Sequence, residues 1–131
     1  MDYEVQSAIC KAAREAAGGR LTFAELVRNL GSVGVERLHV DLVRGDTTYY
    51  QGDYTAVLPV YVQIRKPAPR FSTAGIEAAG DACTYPEFCE RILAAGCVGF
   101  IVSIVGRRVL YYGADGAVVS SERLAGRAIT S

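Results

Sequence analysis

The sequence predicts an α+β fold in one domain, built as an internal duplication of a helix–helix–strand–strand–strand unit. Its antiparallel sheet should be covered by helices on one face, with pseudo-twofold symmetry between the copies. Three observations carry this expectation. The chain matches itself without a gap when shifted by 62 residues. Each copy holds a threonine–glutamate capping signature followed by apolar residues at helical spacing. Each then passes into residues that alternate with period two.

The repeat constrains everything else. Setting residues 13–53 against 75–115, Glu15-Ala16-Ala17-Gly18 returns as Glu77-Ala78-Ala79-Gly80. Thr22, Glu25, Gly34, Val40 and Val43 return as Thr84, Glu87, Gly96, Val102 and Val105, and Tyr49, Tyr50 and Asp53 as Tyr111, Tyr112 and Asp115. Mismatches such as Phe23/Tyr85, Leu30/Ile92 and Leu42/Ile104 keep their chemistry, which chance does not explain. The predicted organisation is repeat 1 over 4–64, a linker over 65–70, repeat 2 over 71–121 and a loosely held tail over 122–131.

In chain order, an alanine-rich helix is expected over 4–17. Thr22-Phe23-Ala24-Glu25 then reads as a capping box, the hydroxyl and the carboxylate satisfying N–H groups that have no helical acceptor. Phe23, Leu26, Val27, Leu30 and Val33 form the apolar stripe behind it, and Gly34 suits a left-handed helix stop. Leu38, Val40 and Leu42 share one face of the next strand. Gly45-Asp46 suits a tight turn into a second strand carrying Tyr49-Tyr50. Residues 54–64 offer a third strand, which Pro59 confines to an edge or splits. The second copy repeats the plan: a shorter helix near 73–80, a capping box at Thr84-Tyr85-Pro86-Glu87, a stripe from Tyr85 to Ala95, Gly96, a strand with Phe100, Val102 and Ile104, Tyr111-Tyr112, and a short strand at 117–121.

Lysine plus arginine and aspartate plus glutamate balance at 14 each, so no global field draws in nucleic acid or an anionic membrane. The local basic groups Arg65, Lys66, Arg70, Arg107 and Arg108 read as solvated loops. No apolar run approaches the roughly 20 residues of a membrane helix. Met1-Asp2-Tyr3-Glu4 lacks the pattern of a secretory leader, so a cytoplasmic location is expected. No nucleic-acid or membrane partner is expected.

Cys10, Cys83, Cys89 and Cys97 contain no Cys-x-x-Cys pair, and the chain has one histidine, which argues against a zinc site. In the repeat, Cys83, Cys89 and Cys97 take the places of Leu21, Val27 and Val35, so all three should be buried, reduced thiols. No metal and no cofactor are predicted.

The candidate site residues are His39, Asp41, Thr48 and Tyr50. His39 and Asp41 leave the same face of one strand. With Gly45-Asp46 as the turn, Asp41 would face Tyr50 and Val43 would face Thr48. Imidazole, carboxylate, phenol and hydroxyl could then bind a polar ligand or move a proton, His39 and Asp41 being the catalytic candidates. The second copy has Ile101 and Ser103 at these places, so a single site could sit in the first copy. The bland alternative makes His39 and Asp41 the polar outer face of a strand, with Ile101 and Val105 buried elsewhere. One tyrosine of each tandem pair should be core.

Gly34-Val35-Glu36-Arg37-Leu38-His39-Val40-Asp41, Thr47-Thr48-Tyr49-Tyr50 and Ala95-Gly96-Cys97-Val98-Gly99-Phe100 resemble a family of small bacterial proteins called YbcV-like. Its domain has no assigned function, and members are sometimes labelled phage envelope protein. The similarity spans residues from about 20 to 118, with a departure at 71–83. It implies the fold and a bacterial or prophage origin, and no reaction. The leading expectation is a non-enzymatic accessory module that binds a protein partner or small ligand through its sheet, a homodimer among the options. The alternatives are a small enzyme or ligand-binding domain at His39, Asp41 and Tyr50, and a phage structural component.

Overall fold

The computed structural model of the chain describes residues 2–60, 66–121, 123–124 and 127–128. The fold is α+β, with four helices and an antiparallel sheet of six strands among these residues. Helices α1 (Tyr3–Ala17) and α2 (Phe23–Ser32) precede strands β1 (Arg37–Asp41), β2 (Asp46–Gln51) and β3 (Tyr54–Pro59). Helices α3 (Thr73–Ala78) and α4 (Tyr85–Ala94), joined through a 3-10 turn at Ala79–Asp81, precede β4 (Cys97–Ser103), β5 (Arg108–Gly113) and β6 (Val118–Ser121). The sheet order is β3-β2-β1-β4-β5-β6, so each meander occupies one half and the first strands meet at the centre. Pro59 ends edge strand β3, where its missing N–H costs no ladder bond. The rest of the strand expected over 54–64 includes residues 61–64, which lie outside the described residues, as does much of the expected tail. Within that tail, β7 (Arg123–Leu124) pairs with β8 (Arg127–Ala128).

The central seam has the pairings that a twofold relation between the halves requires. His39 faces Ile101, 62 residues later, and the register runs symmetrically outward from that pair, with Leu38 facing Val102 and Val40 facing Phe100. The bond from Leu42 N–H to Val98 C=O (3.0 Å) has its counterpart in Ile104 N–H to Glu36 C=O (2.8 Å). Behind the sheet, the corresponding rings of Phe23 and Tyr85 touch at 5.8 Å between centroids. Phe23 also packs on Phe88 (4.4 Å) and Phe100 (5.2 Å), so the core joins both halves. Leu30, Leu38, Val40, Ile92, Phe100, Val102 and Tyr111 are buried there. Tyr49 and Tyr111 are the core members of the tyrosine pairs, as alternation demands.

The caps explain where the helices begin. Thr22 Oγ1 accepts from Glu25 N–H (3.1 Å) and Glu25 Oε1 accepts from Thr22 N–H (2.9 Å), a complete capping box. The second cap departs from the expected form. Thr84 Oγ1 accepts from Glu87 N–H (3.3 Å), but the Glu87 carboxylate reaches one residue further back, to Cys83 N–H (3.0 Å). Gly34 and Gly96 end their helices with φ of 93° and 82°. At Gly96 a Cβ would also lie 2.2 Å from Arg70 C=O, because the linker crosses there. Ala68 N–H to Leu93 C=O (2.9 Å) and Ser72 N–H to Ala95 C=O (2.7 Å) fasten that linker to the end of α4.

Three sequence expectations are corrected. The first hairpin turns over Leu42–Gly45, not at Gly45-Asp46, so Asp41 faces Asp46, His39 faces Thr48, and Tyr50 faces Arg37. Leu42 decides this, because its side chain is fully buried and its N–H is tied to Val98, leaving Val43 at the exposed tip. Cys83 is exposed, while Cys89 and Cys97 are buried and all four thiols are free. Cys83 precedes the N-cap, where the chain is still outside the helix stripe. Ile101 (37% exposed) and Val105 (75%) are not buried. Ile101 stands on the sheet face opposite the helices, and Val105 occupies the tip of the second hairpin.

Candidate functional site

The sheet has one face packed on the helices and one face that no described helix covers. Strand alternation puts His39, Asp41, Thr48 and Tyr50 on the open face, where all four are half-buried. The expected face is therefore correct although the register is not, because the shift is by an even number of residues.

The structure separates the four candidates. His39 pairs with neither Asp41 nor Tyr50. Its Nε2 shares a 2.7 Å hydrogen bond with Tyr112 Oη, the corresponding tyrosine of the second half, and either partner can donate depending on the tautomer. The rings meet edge-on at 5.9 Å. Tyr50 instead covers Arg37, whose guanidinium carbon lies 4.2 Å from the ring centroid.

Asp41 has a local task. Its Oδ1 accepts from Val43 N–H (3.0 Å) and Arg44 N–H (2.9 Å) and closes the turn. Ser103, its counterpart, accepts from Gly106 N–H (2.9 Å) in the second hairpin. The aspartate-to-serine difference thus keeps one structural role, a short acceptor that turns the chain. Arg44 reaches the neighbouring Asp46 at 2.6 Å.

Tyr112 reaches His39 because Gly99 stands opposite it on β4. A Cβ at Gly99 would lie 2.3 Å from Tyr112 Oη and 2.7 Å from Val40 C=O. The ring lies where a side chain would otherwise be, an aromatic cover over a strand glycine. Burial, then the Asp41 carboxylate, raises the Tyr112 phenol above its ordinary range, so it stays protonated at neutral pH.

The residues at the centre of the open face form a row straight across the sheet: Val57, Thr48, His39, Ile101, Leu110 and Ser120. Val57 is 56% exposed, and Val118, beside Tyr112 on the edge strand, is 55% exposed. The sequence reading missed Leu110, Tyr112 and Val118 as members of this surface. Their membership follows from the pairing of β1 with β4, which brings Ile101 beside His39 and which local sequence rules do not specify.

The described concavities lie elsewhere. A shallow depression runs along α1 past Tyr3, Cys10, Arg14 and Arg20, and a void of about 20 Å³ lies between α1 and Tyr49. Among the described residues no cluster of three or more His, Cys, Asp or Glu could hold a metal ion, and no helix is long and apolar enough to cross a membrane. Burial pushes the Cys89 thiol up to about 12 and raises Cys97 as well, the opposite of what a thiolate nucleophile needs. No protein-family model and no curated protein matches the chain, so the YbcV-like resemblance rests on the quoted sequence blocks alone.

Proposed function

We propose that this protein is a non-enzymatic binding module whose contact surface is the open face of its sheet. The observation that carries the reading is the central row. An antiparallel sheet with one solvated face normally sets polar residues outward. Here Val57, Ile101 and Leu110 stand in that row, with Tyr50 and Tyr112 on either side of it. Ile101 and Leu110 adjoin in the row, and Val57 and Val118 stand exposed toward the two edges of the sheet; apolar surface set outward in this way marks contact sites.

Two facts weigh against acid–base chemistry at the same place. The Asp41 oxygen is engaged by the turn, and His39 is held by a protonated phenol and not by a carboxylate. A role in the cytoplasm of a bacterium or prophage host fits the YbcV-like resemblance and belongs to the same proposal.

The test is site-specific photocrosslinking in the native host. A photoreactive amino acid at position 101 should give discrete adducts, and the same group at exposed Asn29 on α2 should not. Equal yields at both positions, or none at either, would refute the reading.

A further inference from the structure

We infer that the open sheet face binds a second copy of this chain, face to face, about a twofold axis lying along the row that contains His39 and Ile101. The inference rests on the binding-surface reading above and names its partner. Its basis is how charge is distributed on either side of the central row.

Two residues toward one end of the strands lie the basic groups, Arg37 on β1 and Arg108 on β5. Two residues toward the other end lie Asp41 on β1 and Asp46 on β2. A rotation by half a turn about the central row sets each strand over its own counterpart, running in the opposite direction. Arg37 then stands over Asp41 of the second copy, twice. Ile101 meets Ile101, Leu110 meets Leu110, and Val57 meets Val57. Arg44 already holds Asp46, and the turn N–H groups occupy Asp41 Oδ1 alone, which leaves Asp41 Oδ2 to answer Arg37. A half-turn about an axis along the strands instead sets Arg37 on basic ends and Asp41 on acidic ends, which repels. The charge pattern therefore selects one of the two face-to-face arrangements. Aligned sheet packing tolerates the usual offset of roughly 30° between the two strand directions.

The size fits a weak dimer. Five gaps of roughly 4.8 Å by about five residues of 3.4 Å give a footprint near 400 Å² on each copy. With side-chain relief, two such faces bury roughly 1,000 Å², the low end for a specific interface. Association is therefore expected in the micromolar range.

The experiment is sedimentation velocity of the full chain from about 1 to 500 µM, a range that brackets micromolar affinity. Wild type should pass from monomer to dimer. Ile101→Lys and Arg37→Glu should each weaken association about tenfold or more, since one buries a charge at the centre of the interface and the other opposes two like charges. Lys66→Glu, in the exposed linker, should not, and circular dichroism confirms that each variant is folded. A monomer at every concentration overturns the inference. So does a dimer broken by Ile101→Lys and untouched by Arg37→Glu, because the charge match is then idle. The crosslink at position 101 separates the two levels. An adduct of twice the chain mass supports the homodimer. An adduct of another mass with a monomeric protein removes the homodimer and leaves the binding surface standing. No adduct with a monomeric protein removes both.

Discussion

Replacing Gly99 with alanine tests how the open face is built. The new Cβ would meet Tyr112 Oη at 2.3 Å, its ring carbon Cζ at 2.6 Å and Val40 C=O at 2.7 Å. A phenol can swing aside, but the Val40 carbonyl belongs to the strand next door and cannot move without shifting the β1–β4 seam. Overpacking of this kind costs about 1–3 kcal/mol. Displacing Tyr112 from His39 forfeits a hydrogen bond worth about 1 kcal/mol more. The expected loss is therefore about 2–4 kcal/mol, or roughly 10 °C in Tm for a chain of this length. The ring's share is isolated by a double-mutant cycle with Tyr112→Ala, followed by urea denaturation of all four proteins. In the Tyr112→Ala background the ring contacts are gone and only the carbonyl contact remains. Gly99→Ala should then cost about 1–2 kcal/mol less. An equal cost in both backgrounds would refute the claim that Gly99 is needed to seat the tyrosine.

Three further outcomes are expected. Arg107 is the one non-glycine residue with positive φ (53°) among the described residues, and it takes the place that Gly45 (84°) holds in the first turn. Relief of about 1–2 kcal/mol of left-handed strain, less about 0.4–1 for added freedom when unfolded, should make Arg107→Gly more stable by about 0.5–1 kcal/mol in denaturant melts. Thr22→Ala should cost about 1 kcal/mol. The same box holds the Glu25 carboxyl below its ordinary value of 4.5, chiefly through the Thr22 N–H. A depressed folded pKa gives stability that is full above 4.5 and lost as pH falls through the folded value, so Glu25→Gln should flatten the acid limb of a stability–pH curve. In native protein a thiol reagent should label Cys83 fast, with Cys89 and Cys97 protected until unfolding, as read by mass spectrometry.

Much of the architecture was legible because the same local signals recur 62 residues apart. The capping threonines, the two glycine stops and the alternation around Val40 and Val102 fix element type by local rules, and their spacing fixes the order. The hairpin register was not legible. Gly45 marks the left-handed position truly, but the turn length is set by Leu42, whose side chain is claimed by the core and whose N–H is claimed by Val98. That is a tertiary decision. The candidate site shows the same limit. The residues of one strand could be assigned to a face from parity alone, so His39, Asp41, Thr48 and Tyr50 were placed correctly on the open side. Their partners could not be assigned, because Tyr112 reaches His39 from the other half of the sheet. Cys83 failed for a simpler reason: it borders a helix start, where the apolar stripe has not begun.

The most direct test of the binding-surface claim separates folding from contact. Ile101→Thr and Leu110→Thr together place a β-branched residue suited to a strand at both positions while removing the aliphatic centre of the open face. Their side chains touch no helix, so the stability of the dilute monomer should change by less than about 1 kcal/mol. The adducts formed by a photoreactive residue at position 57, in the same row, should disappear. Contact retained at full yield in this variant, or a fold lost at the dilution where the wild type is monomeric, would contradict the assignment of this row to binding.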